Sequence, residues 1–167
     1  MAPDLAERIF IVNGFAKGWA MTGWRIGWLA GARAVIAAAS ALQSQSTSNV
    51  CTFAQFGALA AITASRDCVR SMAEDFNRRR SLLADGLASI PGLQLLPPEG
   101  AFYAFPDANQ WGLDSMTLCN RLLEEVGLAV VPGVAFGDDR CIRLSCAASD
   151  ATLLDGLERL RRFQASL

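Results

Sequence analysis

Two short apolar runs near the start of the chain predict two buried strands. The first covers residues 8–13 and ends at the turn-forming pair Asn13-Gly14, and the second covers residues 25–30 and stops at Gly31. The loop between them is rich in glycine. Because paired strands hold the ends of such a loop in place, its side chains are good candidates for a functional role.

A longer region of helical patterns follows these strands. Residues 32–45 are rich in alanine, which predicts a helix, and the Ser/Thr/Asn run at residues 44–49 is predicted to end it and to cap the next one. Residues 53–90 are predicted to form a long helix with a bend near residues 63–66, closed by a Pro-Gly pair. Its apolar positions recur at three- and four-residue spacing, at Val69, Met72, Phe76, Leu83, Leu87 and Ile90.

Beyond residue 92 the pattern changes to short alternating elements. We expect a helix at residues 116–125, and Ser149 is placed to cap a last helix. Strands are expected at residues 93–96, 101–105, 128–131 and 141–145. Strands that alternate with helices predict an α/β or α+β lobe.

Composition argues against several classes of function. The net charge of −1 gives no reason to expect a nucleic-acid partner or an acidic membrane surface, and no apolar run is long enough to span a bilayer. The chain has no histidine, and its five cysteines form no Cys-x-x-Cys pair. This argues against a zinc site, a disulfide scaffold and any histidine-dependent nucleophile. We therefore expect reduced thiols and a cytoplasmic location.

Lys17 is the only lysine among the 15 basic residues; the other fourteen are arginines. Arginine stays protonated, whereas a partly buried lysine can lose its proton and act as a nucleophile or base. Arg25, eight residues later, offers a forked cation of the kind that binds phosphate or carboxylate. Composition alone leaves open whether Lys17 is a reactive amine or a solvated surface lysine.

The segment around Lys17 carries a specific motif, Asn-Gly-x-x-Lys-x-x-x-Met-Thr-Gly-Trp-Arg-x-Gly, over residues 13–27. This motif closely resembles the lysine segment of class I aminotransferases, the aspartate aminotransferase-like branch of the fold-type I enzymes that use pyridoxal 5'-phosphate (PLP). The resemblance continues through residues 45–49, 98–103 and 142–145.

The resemblance implies a fold and a division of the chain. The fold is α/β, the C-terminal part of the fold-type I PLP transferase fold, with the end of the large-domain sheet, a long connecting helix and a small α+β domain. Residues 1–50 would be a remnant of the large PLP-binding domain that carries the lysine loop. Residues 51–167 would be the connecting helix and the C-terminal small domain.

The resemblance also implies roles for individual residues. Lys17 would form the covalent link to PLP, and Arg25 would bind its phosphate. Arg143 would grip the substrate α-carboxylate, and Asn49 would lie near the active site at the subunit boundary. The residues themselves leave alternatives open, a surface arginine on an edge strand for Arg143 and a helix cap for Asn49. Arg140 follows two aspartates and is predicted to be a salt-bridged loop residue.

The resemblance covers only the later part of the family pattern. In relatives, the segments that supply the pyridine-nitrogen aspartate and the phosphate-binding turn precede the lysine. We therefore expect a PLP-dependent aminotransferase, acting on an amino acid and a 2-oxo acid, that is inactive as this chain alone. Unpaired strand edges predict a homodimer or larger self-association. The alternatives are a non-catalytic association module and another fold-type I enzyme such as a lyase or racemase. The effector domain of a transcription regulator would need a helix-turn-helix and a basic face, and the sequence shows neither.

Overall fold

The computed structural model describes residues 3–167, which form two compact units. The first unit ends at Ser71, and the second runs from Met72 to Leu167. The helices are α1 (Arg33–Ser46), α2 (Thr52–Thr63), α3 (Asp67–Ala88), α4 (Ser115–Val126) and α5 (Asp150–Gln164). The strands are β1 (Ile11–Gly14), β2 (Gly27–Ala30), β3 (Tyr103–Ala104), β4 (Val131–Pro132) and β5 (Ile142–Ser145). The domain boundary expected after residue 50 stays a prediction. Among residues 3–167, no helix is both long and apolar enough to cross a bilayer.

The first unit contains one antiparallel strand pair. β1 and β2 are in register from Ile11 opposite Ala30 to Gly14 opposite Gly27. Both strands are shorter than predicted, and both are largely exposed, with Val12 at 79%. The prediction of buried strands is wrong, because the described part of this sheet has only two strands and two strands cannot bury both of their faces.

A small apolar cluster fixes the loop between β1 and β2. Phe15, Met21 and Ala58 of α2 are buried together, and Trp19 and Ala61 pack against them. The indole Nε1 of Trp19 donates a hydrogen bond to the Ala61 carbonyl at 3.0 Å. This indole therefore links the loop to α2, whereas α1 has no buried residue.

The predicted long helix is divided in two. α2 ends at Thr63 and α3 begins at Asp67, so the bend lies where the pattern placed it. Ser65 marks the break, since its hydroxyl accepts a hydrogen bond from the Asp67 backbone N–H at 3.2 Å. Local bonds of this kind compete with a continuous helix and favour a new helix start.

The polar run at residues 44–49 does not cap α2, so the capping prediction for Asn49 is wrong. The residue that flanks the helix is Cys51, and its side chain makes no capping hydrogen bond. Ser48 adopts a left-handed backbone with φ 64°, which separates the run from the helix start. The start is instead tied by Gln55, whose side-chain amide donates to the Val50 carbonyl at 2.8 Å.

The second unit contains an antiparallel sheet with strand order β3-β5-β4. The element expected at residues 93–96 is reduced to an isolated pairing of Gln94 with Asp107, because two prolines follow and cannot donate to a ladder. The strand expected from residue 128 starts only at Val131. The backbone N–H of Leu128 donates to the Leu122 carbonyl, so Leu128 belongs to the C-terminal cap of α4 rather than to a strand.

One contiguous core holds the second unit together. Its fully buried side chains include Leu87, Ile90, Leu118, Leu122, Ile142, Leu160 and Phe163. Leu83 is only 3% exposed, whereas Phe76 of the same apolar face is half-buried. Ser149 caps α5 as predicted, since its hydroxyl accepts from the Thr152 N–H at 3.2 Å.

Candidate functional site

The lysine loop, residues 15–26, is closed at its base by backbone contacts. Gly14 and Gly27 lie opposite each other, and the Phe15 N–H donates to the Ile26 carbonyl at 3.4 Å. A Cβ at Gly27 would lie 2.9 Å from the Asn13 carbonyl oxygen, which explains why this position is glycine. The two ends of the loop are therefore held together at one end of the strand pair.

Lys17 lies in the first turn of this loop and is exposed. The turn is anchored from below by Phe15 and Trp19, whose ring centroids are 5.3 Å apart. The Ala20 N–H donates to the Lys17 carbonyl at 3.3 Å, which closes the turn. The backbone of Lys17 is thus fixed, while the described residues do not bury its side chain.

Arg25 lies at the other end of the same loop, in a left-handed backbone conformation with φ 52° and ψ 46°. Non-glycine residues rarely adopt this conformation, and functional sites are where such residues concentrate. One terminal nitrogen of its guanidinium, Nη1, donates to the Thr22 carbonyl at 3.0 Å. This bond fixes the direction of the side chain and leaves further donors for a ligand.

A cleft of about 520 Å³ in the first unit brings Arg25 and Asn49 together. Gln43 and Thr47 also line it. Amide, hydroxyl and guanidinium groups around one cleft suit a ligand with several oxygen acceptors. Lys17 is on the same loop as Arg25 but does not line this cleft.

The charge of this region is one-sided, a feature that the motif analysis missed. Residues 8–66 carry no aspartate or glutamate and five basic side chains: Arg8, Lys17, Arg25, Arg33 and Arg66. Counting acidic residues segment by segment would have revealed it. A region of one sign attracts anions. The amine of Lys17 and the guanidinium of Arg25, on the same loop, therefore fit PLP, which presents an aldehyde and a phosphate.

Arg143 lies in the second unit, on the central strand β5, and is half-buried. Its guanidinium carbon is 4.3 Å from the Tyr103 ring centroid and 4.3 Å from the Phe136 ring centroid. The sequence analysis did not single out Phe136. The sequence did contain a signal for Phe136, since it is a large aromatic residue in a loop bounded by Gly133 and Gly137.

Arg140 forms the salt bridge that was predicted for it. Its Nε and Nη2 donate to the two carboxylate oxygens of Asp138 at 2.9 and 2.7 Å. These hydrogen bonds lower the pKa of Asp138 to about 2. Arg140 is therefore occupied within the protein, which distinguishes it from Arg143.

Comparison with known proteins identifies the family. Residues 1–160 match aminotransferase class I and II. The aspartate aminotransferase of Streptomyces avermitilis is 43% identical over 171 aligned positions, and the alignment covers 97% of this chain and 42% of that protein. A probable aspartate/prephenate aminotransferase of Aquifex aeolicus is 45% identical over 159 residues, which cover 92% and 40%.

Solved structures show the same relationship. The aspartate aminotransferase from Rhizobium meliloti matches with a TM-score of 0.93 and 39% identity, covering 98% of this chain and 43% of that one. The Thermus thermophilus aspartate aminotransferase with maleate matches with a TM-score of 0.89 and 44% identity, covering 94% and 41%.

The chain spans about two fifths of the length of these relatives. The predicted fold class is confirmed, since the chain has the mixed α/β structure of part of the fold-type I transferase fold. Because the match extends over almost every residue, the chain belongs to the class I and II aminotransferase family.

Proposed function

We propose that this chain supplies the lysine loop and the carboxylate-binding arginine of a PLP-dependent aminotransferase, which transfers an amino group between an amino acid and a 2-oxo acid. One observation carries the proposal. The only lysine lies on a loop closed between paired strands, within a segment that has five cations and no acid. Such a loop can hold an anionic cofactor and present one amine to it.

Two residues of the first unit would hold the cofactor. Lys17 would bind it covalently and Arg25 would pair with its phosphate, while Asn49, which lines the same cleft as Arg25, would contact the substrate. When bound, PLP withdraws electrons from the Cα of an attached amino acid. The Nζ of Lys17 would then take the proton from the substrate Cα. Its place on an anchored turn favours this role, because proton transfer needs a positioned base.

Arg143 would bind the substrate α-carboxylate. A forked guanidinium pairs with a carboxylate through two parallel hydrogen bonds and fixes its orientation as well as its position. Orientation decides which bond at Cα can break, so this arginine would favour loss of the proton over loss of the carboxylate.

The amino-acid donor is a separate question. The relatives named above are aspartate or aspartate/prephenate aminotransferases, which makes dicarboxylic acids the first substrates to test. The stretch at residues 42–45, where some dicarboxylate-specific relatives have an arginine, has no cation here. We therefore propose an amino acid as donor without restricting it to aspartate.

The proposal is tested by labelling the purified chain with PLP, reducing with borohydride and mapping the adduct by mass spectrometry. We expect the adduct on Lys17, the only lysine. Lys17→Arg keeps the charge and is the matched control, which should lose this adduct. Labelling confined to the N-terminal amine would refute the role of Lys17.

We also propose that residues 1–50 and 51–167 act as parts of the large and small domains, and that the chain alone does not turn over substrate. Aminotransferase assays with aspartate and 2-oxoglutarate should give no turnover in the range typical of enzymes, about 1–1000 per second. Turnover in that range would contradict this part of the proposal.

Five unpaired cysteines support a cytoplasmic setting.

A second candidate function is association with another chain. It rests on the burial pattern of α2, in which small side chains are buried and large apolar ones are exposed. Its small residues Ala54 and Ala58 are buried, whereas Phe53 and Phe56 are each 68% exposed. Large exposed apolar surfaces are typical of interfaces. We propose that the chain forms a homodimer or larger assembly through this surface.

Sedimentation at several protein concentrations tests the association. We expect a concentration-dependent dimer or larger species that Phe56→Ser weakens. Leu123→Ser, at an exposed leucine of the second unit, is the matched control and should leave the assembly unchanged. A monomer at every concentration would count against association.

A further inference from the structure

The Arg143 guanidinium lies between two pairs of aromatic rings. Tyr103 packs on Phe102 with ring centroids 4.4 Å apart, and Phe136 packs on Phe105 at 6.0 Å. The guanidinium carbon is 4.3 Å from the Tyr103 centroid and 4.3 Å from the Phe136 centroid. Both distances are well within the range of cation–π attraction. The rings therefore restrict the plane of the guanidinium.

The N–H groups of Arg143 are left without an acceptor in the described part of the chain. No carbonyl or carboxylate of residues 3–167 accepts a hydrogen bond from its side chain, although Arg140, three residues earlier, is bound by Asp138. Stacking uses the faces of a guanidinium and leaves its edge of donors available. A half-buried cation with an open donor edge suits a planar acceptor that comes from outside the chain.

Phe136 is held over Arg143 by a rigid loop. The Gly133 N–H donates to the Cys141 carbonyl at 2.8 Å, which closes the loop. Buried Ser115 braces it, since its hydroxyl donates to Asp139 at 2.6 Å and accepts from the Val134 N–H at 3.1 Å. A Cβ at Gly133 would lie 2.2 Å from two backbone oxygens, so glycine is required there. The position of Phe136 is therefore set by the fold.

The exposure of Phe136 has no explanation in packing. The side chain is 49% exposed and lies outside the core of the second unit. Its described aromatic and cationic partners are Phe105 and Arg143. An exposed ring contributes little to the stability of the fold. The contact of Phe136 with the Arg143 guanidinium therefore points to a functional role for this ring.

We propose that Phe136 is a positioning residue that, together with Tyr103, orients the Arg143 guanidinium so that its donor edge meets the α-carboxylate of the amino acid or 2-oxo acid. This inference rests on the proposed function, which gives Arg143 that ligand. Phe136 itself need not touch the reacting atoms. Its contribution is to reduce the rotamer freedom that Arg143 would otherwise lose on binding.

The test follows the Arg143 Nε–H signal by NMR in the full 167-residue chain. Ring currents from both aromatic residues should displace this signal in the unaltered protein. Phe136→Leu removes the ring and should move the signal toward that of a solvated arginine, whereas Phe136→Tyr keeps the ring and should preserve it. An unchanged signal in Phe136→Leu would overturn the inference.

Binding of 2-oxoglutarate, followed in the same spectra, separates this inference from the proposed function. We expect Phe136→Leu to weaken binding about threefold to tenfold and Phe136→Tyr to restore it. Arg143→Lys should weaken it further. If Phe136→Leu binds normally while Arg143→Lys does not, the inference fails and the role of Arg143 stands. If Arg143→Lys binds normally, or the unaltered chain does not bind, the carboxylate role fails and the inference falls with it.

Discussion

The two units of this chain use apolar residues in opposite ways. In the second unit, leucines from three helices and Ile142 of β5 meet in one core, and Leu87, Leu122 and Leu160 are completely buried. In the first unit, the buried cluster is small, and large side chains such as Val12 and Phe56 are exposed. The second unit therefore contains its own source of stability, whereas the first presents surfaces suited to a partner.

Helix capping shows the same difference. In the second unit, α4 and α5 start at Asp114 and Ser149, whose side chains accept backbone hydrogen bonds. In the first unit, α1 and α2 start at Ala32 and Cys51, which make none. Helices that lack caps gain little stability by themselves, and α1 also has no buried residue, so we expect the first unit to open more easily.

Thiol chemistry should give the largest contrast between the units. Cys51 and Cys68 of the first unit are exposed, whereas Cys119, Cys141 and Cys146 of the second are buried. Burial raises the pKa of the Cys119 thiol to about 11, which further reduces its reactive thiolate. We expect two thiols to react rapidly with a colorimetric disulfide reagent at pH 8. All five should react in denaturant, and rapid reaction of more than two in the native chain would contradict the burial of the other three.

A core truncation should destabilise the second unit strongly. Leu122→Ala empties a fully buried position of α4 and should lower the free energy of unfolding by about 2–5 kcal/mol. Leu123→Ala, its neighbour at 55% exposure, is the matched control and should change it by less than about 0.5 kcal/mol. Urea unfolding followed by circular dichroism measures both. Equal effects would mean that α4 does not carry the core as described.

Removing a helix cap should have a smaller effect. Ser149→Ala leaves the Thr152 N–H without its acceptor and should cost about 1 kcal/mol of unfolding free energy. Ser149→Asp keeps an acceptor and should retain most of the stability. The measurement is the same urea titration, and the cap is irrelevant if the alanine variant unfolds at the unaltered midpoint.

The smallest effect should depend on pH and fade in acid. The pKa of Asp138 is lowered from 3.8 to about 2 by its hydrogen bonds to Arg140. A depressed carboxyl pKa contributes stability above the unfolded-state value, and this contribution is lost as the pH falls through the folded-state value. Asp138→Asn should therefore lower the unfolding midpoint at pH 6 and lower it less at pH 2. A difference that stays constant over this range would exclude the pair as its cause.

Local signals in the sequence predicted part of this molecule well. The Ser149 cap, the bend between α2 and α3 and the Arg140 ion pair each depend on residues a few positions apart. The exposure of β1 and β2 was missed, because burial depends on what packs on a strand and not on its own apolar pattern.

The candidate site was likewise predicted only in part from the sequence. The resemblance to class I aminotransferases marked Lys17, Arg25 and Arg143 as candidate site residues, whereas residue type and spacing alone left alternatives open for Lys17 and Arg143. The ring of Phe136 beside Arg143 could not be predicted, because it depends on how the loop after β4 folds back over β5. Only the tertiary structure brings these two positions together.

The backbone conformation of Arg25 bears on which substitutions stabilise the fold at this position. Its left-handed conformation (φ 52°) costs an arginine roughly 1–2 kcal/mol that glycine would avoid. Replacement of Arg25 by glycine would thus stabilise the fold, and the free energy of unfolding of a folded protein is only about 5–15 kcal/mol in total. The proposed role of Arg25 in binding the cofactor phosphate would explain why a guanidinium stands at this turn despite that cost. A library of Arg25 variants selected for stability alone should therefore enrich glycine, and one selected for cofactor retention should enrich arginine.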